Sequence, residues 1–160
     1  KELVHYEEAR KLYRTEFDKD PFYKIQHYPG MPETLKTLKQ NGVKLGVCSN
    51  KPHEAAVKVV KRMFGDQVFD MVMGQSDSIR KKPAPDGPLK IAEAFGVLPE
   101  ECMYLGDSGT DMQTGKAAGM YTVGVLWGYR EKEELLKNGA DALVESPEDI
   151  LDLYEEKCSK

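Results

Sequence analysis

The spacing of apolar residues changes period several times along the chain. From residue 2 to 16, Leu3, Tyr6, Ala9, Leu12 and Tyr13 recur at helical spacing among charged residues, which predicts one amphipathic helix. Residues 18–31, "DKDPFYKIQHYPGM", break that pattern with two prolines and a glycine and read as a linker. Helix-like and strand-like segments then alternate. "MPETLKTLKQNG" is a helix with Pro32 near its start and Gly42 as its stop, and "VKLGVCSN" is a short apolar strand. "KPHEAAVKVVKRMFG" is a helix beginning at Pro52 and ending at Gly65, "FDMVMG" a strand, "DGPLKIAEAFG" a helix and "ECMYLGD" a strand. "GTDMQTGKAAG" is a helix, "YTVGVLWG" a strand, "EKEELLKNG" a helix, "ADALVES" a strand and "PEDILDLYEEK" the last helix.

Such alternation implies βαβ units: an α/β fold with a mainly parallel, Rossmann-like sheet and helices on both faces. In a parallel sheet the residues just after each strand gather along one edge, where ligands usually bind. This rule turns a linear list into a site, with Ser49 and Asn50 after one strand, Asp107 after another, and Lys81 and Lys82 before the helix between them.

Each group has two readings. Ser49 and Asn50 lie at a strand-to-helix turn, where the hydroxyl and the first helical N–H groups could hold a phosphate oxygen. Taken alone, they read as ordinary helix caps. Lys82 stands in "RKKPAPDGP", where Pro83 and Pro85 stiffen the backbone and could aim one ammonium at an anion. Taken alone, that run reads as a solvated basic turn. Asp107 and Asp111 are four apart, so both carboxylates could face one cation across a helical turn, and hard oxygen ligands suit Mg²⁺. Equally, they could cap the helix and favour its positive end. Taken together, a cation site, an anion-binding turn and an aimed lysine on one edge describe a phosphate-ester site.

Composition narrows the classes. The chain has 160 residues, 40% of them hydrophobic, enough for one domain with a core. A net charge of −4 without a basic stripe argues against a nucleic-acid partner. The apolar runs are too short to span a membrane, and the charged N-terminus lacks the apolar core of a signal peptide. Three dispersed cysteines form no Cys-x-x-Cys, so the expected location is cytoplasmic, without disulfides. "GTDMQTGKAA" misses the P-loop spacing, Asp18 and Asp20 read as linker charge, and Trp127 and Tyr129 read as core or rim.

The order "VCSNK", "KKPAPDG", "LGDSGTDMQTGKAAGM", "VGVLWGYR" resembles the haloacid dehalogenase-like hydrolases, and within them the phosphoglycolate phosphatase branch, over roughly residues 28 to 150. The resemblance implies Mg²⁺-dependent hydrolysis of a small phosphorylated metabolite. Ser49 would bind the phosphoryl group with help from the Asn50 backbone. Lys82 would steady phosphate and nucleophile. Asp107 would be a Mg²⁺ ligand, supported by Asp111 directly or through water. "HYPGM" would return from a helical cap, making residues 1–29 a cap remnant with linker and residues 30–160 the core.

One departure from the family pattern is large. The family's first motif is an apolar strand ending in Asp-x-Asp, which supplies the nucleophile and the general acid/base, and this sequence has no such strand. In the family that strand lies between those ending at Ser49 and Asp107. The chain alone is therefore expected to be inactive: a fragment, a truncated product, or half of a site completed by an N-terminal segment or by self-association. The alternatives are a non-catalytic relative that binds phosphate and Mg²⁺ without turnover, and a receiver-like protein with Asp107 as phosphoacceptor. The Ser–Lys–Asp order along the chain argues against the receiver.

Overall fold

In the computed structural model, the described residues are 25–158 together with His5, Glu8, Ala9, Lys11, Leu12 and Thr15. These six are all helical; the remainder of the helix expected over residues 2–16, and residues 18–24 of the expected linker, lie outside the described residues. The next element is α1 (Met31–Gln40), which starts behind Gly30 in a left-handed conformation (φ 82°) that glycine adopts without a Cβ penalty. Pro32 occupies its first turn, and Thr34, Leu35 and Leu38 form its buried face. Before α1, the His27 ring packs 4.7 Å from Phe64 and bonds the Met63 carbonyl at 2.6 Å.

The remaining elements follow the expected alternation. They are β1 (Gly46–Pro52), α2 (His53–Phe64), β2 (Met71–Gln75), α3 (Asp86–Phe95) and β3 (Met103–Gly106), then α4 (Gly109–Ala117), β4 (Tyr121–Val125), α5 (Lys132–Lys137), β5 (Ala142–Val144) and α6 (Asp149–Cys158). A 3₁₀ turn, Pro99–Glu101, joins α3 to β3.

Every strand pair is parallel, but the described strands form two sheets: β1 with β2, and β3–β4–β5. Ser49 lies within β1 of the first sheet, and Asp107 comes directly after β3 of the second. A side-chain pair links the two sheets: Lys82, from the loop after β2, reaches Asp111 of α4, which packs on β3 and β4. Within the first sheet the register shifts. Cys48 opposes Met73, yet the next pair is Pro52 with Gln75, so Ser49, Asn50 and Lys51 bulge out of the ladder. Bulges of this kind re-aim side chains at the end of a strand.

Two apolar clusters hold the layers together. Leu35 and Leu38 of α1, Leu45, Val123 and Val125 of β4, Val144 of β5 and Ile150 of α6 form the larger one. Ala92 of α3 with Ala118 and Met120 forms the smaller, against which Tyr104 and Cys102 pack. Met112, Val123 and Leu135 are fully buried, each worth about 1.5–3 kcal/mol of transfer free energy. Helix α4 lies close on its sheet because Gly115 faces Thr122, where a Cβ would come 2.6 Å from Oγ1.

Candidate active site

The β1 bulge, the loop before α3 and the start of α4 line an open cavity of about 500 Å³. Ser49, Asn50, Lys51, Lys82, Ser108 and Asp111 contribute to its wall. Four of the five residues singled out from the sequence therefore meet at one opening; Asp107 is not part of this wall.

The local bonding explains how each side chain is held. Ser49 Oγ accepts the Lys51 N–H at 3.1 Å, closing a tight turn that leaves its own proton available to donate. The Asn50 amide clasps the main chain of the lysine loop: Oδ1 accepts the Lys82 N–H at 2.8 Å and Nδ2 donates to the Lys82 carbonyl at 3.4 Å. Lys82, whose peptide bond to Pro83 is cis, extends its Nζ to 2.6 Å from Asp111 Oδ1. Asp111 Oδ2 in turn accepts the Ser108 hydroxyl at 2.6 Å, and Ser108 Oγ caps α4 by accepting the Asp111 N–H at 3.3 Å. A single chain of bonds thus runs from β1 through the lysine loop to α4 and bridges the two sheets.

Asp111 is 6% exposed, so its charge is neutralised by Lys82 rather than by water. Lys82 brings an ammonium to the wall, and the N-terminus of α4 adds its partial positive charge. Burial pushes the Tyr104 phenol up, with Cys48 and Asp111 adding to the effect. Burial also raises the Cys48 thiol, against the opposing pull of Lys82. Neither group supplies an anion beneath the cavity near neutral pH.

Asp107 is held separately. Its Oδ2 accepts the Tyr129 N–H at 3.2 Å, from the turn that follows β4. Ser108 between the two aspartates is extended (φ −141°, ψ 158°) and α4 begins only at Gly109, so Asp107 precedes the helix while Asp111 lies in its first turn. The two carboxylates consequently engage different partners. Beside Asp107 lie Tyr28, paired with Trp127 at 6.3 Å between ring centroids, and Tyr129, which is 90% exposed. Trp127 packs on the larger core cluster, so of the two aromatics left open as core or rim, Trp127 belongs to the core and Tyr129 to the rim.

Sequence reasoning did not single out Ser108, although Ser108-x-x-Asp111 is a recognisable capping pattern. Lys51 and Thr110 also line the cavity, and nothing in their local pattern marks them.

A profile of the haloacid dehalogenase-like hydrolases matches residues 1–125, a span that holds every residue of the cavity wall and Asp107. The chain belongs to the haloacid dehalogenase-like hydrolase family. A phosphoglycolate phosphatase of Aquifex aeolicus is 33% identical over 149 residues, 93% of this chain and 68% of the relative. A phosphoglycolate phosphatase of Escherichia coli K12 is 34% identical over 124 residues, 78% of this chain and 49% of the relative. Among solved structures, a putative phosphoglycolate phosphatase of Lactobacillus delbrueckii superposes with a TM-score of 0.83 at 36% identity, covering 88% of this chain and 58% of that one. The chain thus spans between about half and two thirds of the length of these haloacid dehalogenase-like relatives. No helix among the described residues is long and apolar enough to cross a membrane.

Proposed function

We propose that these residues form the phosphoryl-binding half of a Mg²⁺-dependent phosphatase acting on small phosphorylated metabolites, of the phosphoglycolate phosphatase type. The observation that carries this reading is the convergence of Ser49, Asn50, Lys82 and Asp111 on one cavity beside the β1 bulge and the N-terminus of α4. Ser49 Oγ donates to a phosphoryl oxygen. Lys82 spends one of its three protons on Asp111 and directs the others at the phosphoryl charge, where an oriented cation stabilises an oxyanion. Asn50 holds the Lys82 main chain, and Ser108 holds Asp111.

The residues fit a hard cation loosely. Asp111 is occupied on both oxygens, whereas Asp107 keeps Oδ1 without a donor among the described residues. No three His, Cys, Asp or Glu side chains cluster among the described residues. Mg²⁺ takes one or two carboxylates and completes its shell with water and phosphate oxygens, so Asp107 would hold it and Asp111 would support the site through Lys82. When bound, the ion polarises the phosphoryl group and offsets its charge.

Asp111 is the one carboxylate in the described cavity wall, and its pairing with Lys82 and Ser108 withdraws it from nucleophilic use. No other carboxylate lines the described wall, so the reading assigns the attacking carboxylate to a segment outside it, without which this half-site binds phosphate and does not turn it over. The division of the described strands into two sheets favours a half-site completed by an added parallel strand, from an N-terminal segment or another copy. Residues 1–29 would then belong to a helical cap. Three free cysteines accord with a cytoplasmic location.

Phosphate release from 2-phosphoglycolate with Mg²⁺, measured for the chain alone and for the chain mixed with a peptide carrying an apolar strand that ends in Asp-x-Asp, tests this reading. Turnover only in the mixture, lost in Lys82→Met, is expected. Turnover by the chain alone that survives Lys82→Met would overturn it.

A further inference from the structure

The sequence draws attention to the acids of "LGDSGTD" and passes over the glycine twenty-one residues later, in "LWGYR". Gly128 lies in the turn after β4 and presses directly on Asp107. A Cβ at Gly128 would come 2.6 Å from Asp107 Oδ2 and 2.8 Å from its Cγ, closer than real Cβ atoms approach other atoms. The reason is not a left-handed backbone, because Gly128 does not have the positive φ that favours glycine. What the position requires is the absence of a side chain.

The neighbouring residues explain why the turn comes so near. Leu126 still donates its N–H to the Val144 carbonyl at 2.9 Å, so the sheet grips the turn from one side. Trp127 packs on the larger core cluster and against Tyr28. Fixed at both points, the turn presents the bare face of Gly128 and then the Tyr129 N–H, which bonds Asp107 Oδ2 at 3.2 Å. The Tyr129 ring itself is 90% exposed, so in this contact Tyr129 contributes its main chain.

We propose that Gly128 is a positioning residue for Asp107: the side-chain-free surface lets the turn approach until its amide fixes one carboxylate oxygen and leaves the other for a divalent cation. This rests on the reading of Asp107 as the cation-holding carboxylate. A methyl group at 128 must push the Asp107 carboxylate aside or lift the turn, and either breaks the Tyr129 bond. Groups that orient a metal ligand typically change metal affinity by about 10–100-fold when altered.

The test uses Mn²⁺ as the probe, followed by electron paramagnetic resonance of the free ion in the presence of inorganic phosphate, on the 160-residue chain. The parent is expected to bind Mn²⁺ in a manner lost in Asp107→Ala. Gly128→Ala is expected to weaken binding by about tenfold or more, while Leu98→Ala, on an exposed turn, leaves it unchanged. Parent-like Mn²⁺ affinity in a folded Gly128→Ala would overturn the proposal. A thermal-unfolding cycle reads the steric contact separately. The loss of melting temperature in Gly128→Ala should be relieved in Gly128→Ala/Asp107→Gly, which removes the side chain that the new methyl meets. If the parent shows no binding that depends on Asp107, the metal reading of Asp107 fails. The cycle then decides the positioning role, which is refuted by a deficit that persists in the double variant.

Discussion

Replacing Lys82 by methionine removes the ammonium and keeps most of the stem, so its effect isolates the charge. Lys82 and Asp111 side chains are 17% and 9% exposed, with 2.6 Å between Nζ and Oδ1. Removing one partner of a fully buried pair costs about 3–5 kcal/mol, because the other charge is left uncompensated. Two features reduce that figure: the pair opens onto the cavity, and Ser108 still donates to Asp111 Oδ2. A loss of about 2–3 kcal/mol is therefore expected. At about 2–4 °C per kcal/mol for a domain of this size, the melting temperature falls by about 4–12 °C. Circular dichroism melts at neutral pH measure it, with urea titration as a check that the slope is unchanged. Lys82→Met/Asp111→Asn removes the stranded charge and should recover most of the loss. A single variant that melts within about 1 °C of the parent, or a double variant no better than the single, would refute a buried pair bridging the two sheets.

Other outcomes follow from the same contacts. Gly106→Ala places a methyl 2.6 Å from Asp111 Cγ, and the forced shift should destabilise the fold by about 1–3 kcal/mol in urea. Asp86 is held at about 2 by its hydrogen bonds from Arg80, below the usual carboxylate value. A depressed carboxylate stabilises the fold above its unfolded value and loses that contribution as pH falls, so the Arg80–Asp86 contribution should disappear between about pH 4 and pH 2. Acid titrations of the parent and Arg80→Gln should therefore diverge above that window and converge below it; parallel curves throughout would deny the link.

Much of the architecture was legible because each segment holds one period long enough to declare itself. Leu35 and Leu38 mark the buried face of α1, and Gly96 and Gly119 mark stops. The errors fall where tertiary contacts bend the backbone near the cavity. The strand "VKLGVCSN" extends instead to Pro52, because three residues bulge between the Cys48 and Pro52 pairings. The strand "YTVGVLWG" stops at Val125, because Leu126–Gly128 turn to meet Asp107. The alternation of elements carried no sign that the strands would divide into two sheets; that expectation came from resemblance. Ser49, Lys82 and Asp111 were legible as strand-end and loop chemistry. The Asn50 clasp on the Lys82 main chain was not, since the two are thirty-two residues apart and nothing local couples them. Gly128 was invisible for the same reason: its role is defined by an atom it lacks and by a residue twenty-one positions earlier, just after β3.

The central claim is that the cavity between β1 and α4 binds a phosphoryl oxyanion through Ser49 and Lys82. Calorimetric titration of inorganic phosphate into the chain with Mg²⁺ present, repeated with Ser49→Ala and Lys82→Met, tests it most directly. Hydrogen bonds to a charged group are worth about 1.5–3 kcal/mol, so each variant should weaken a saturable, single-site binding by about tenfold or more. An absence of saturable binding in the parent, or binding indifferent to both substitutions, would contradict the account.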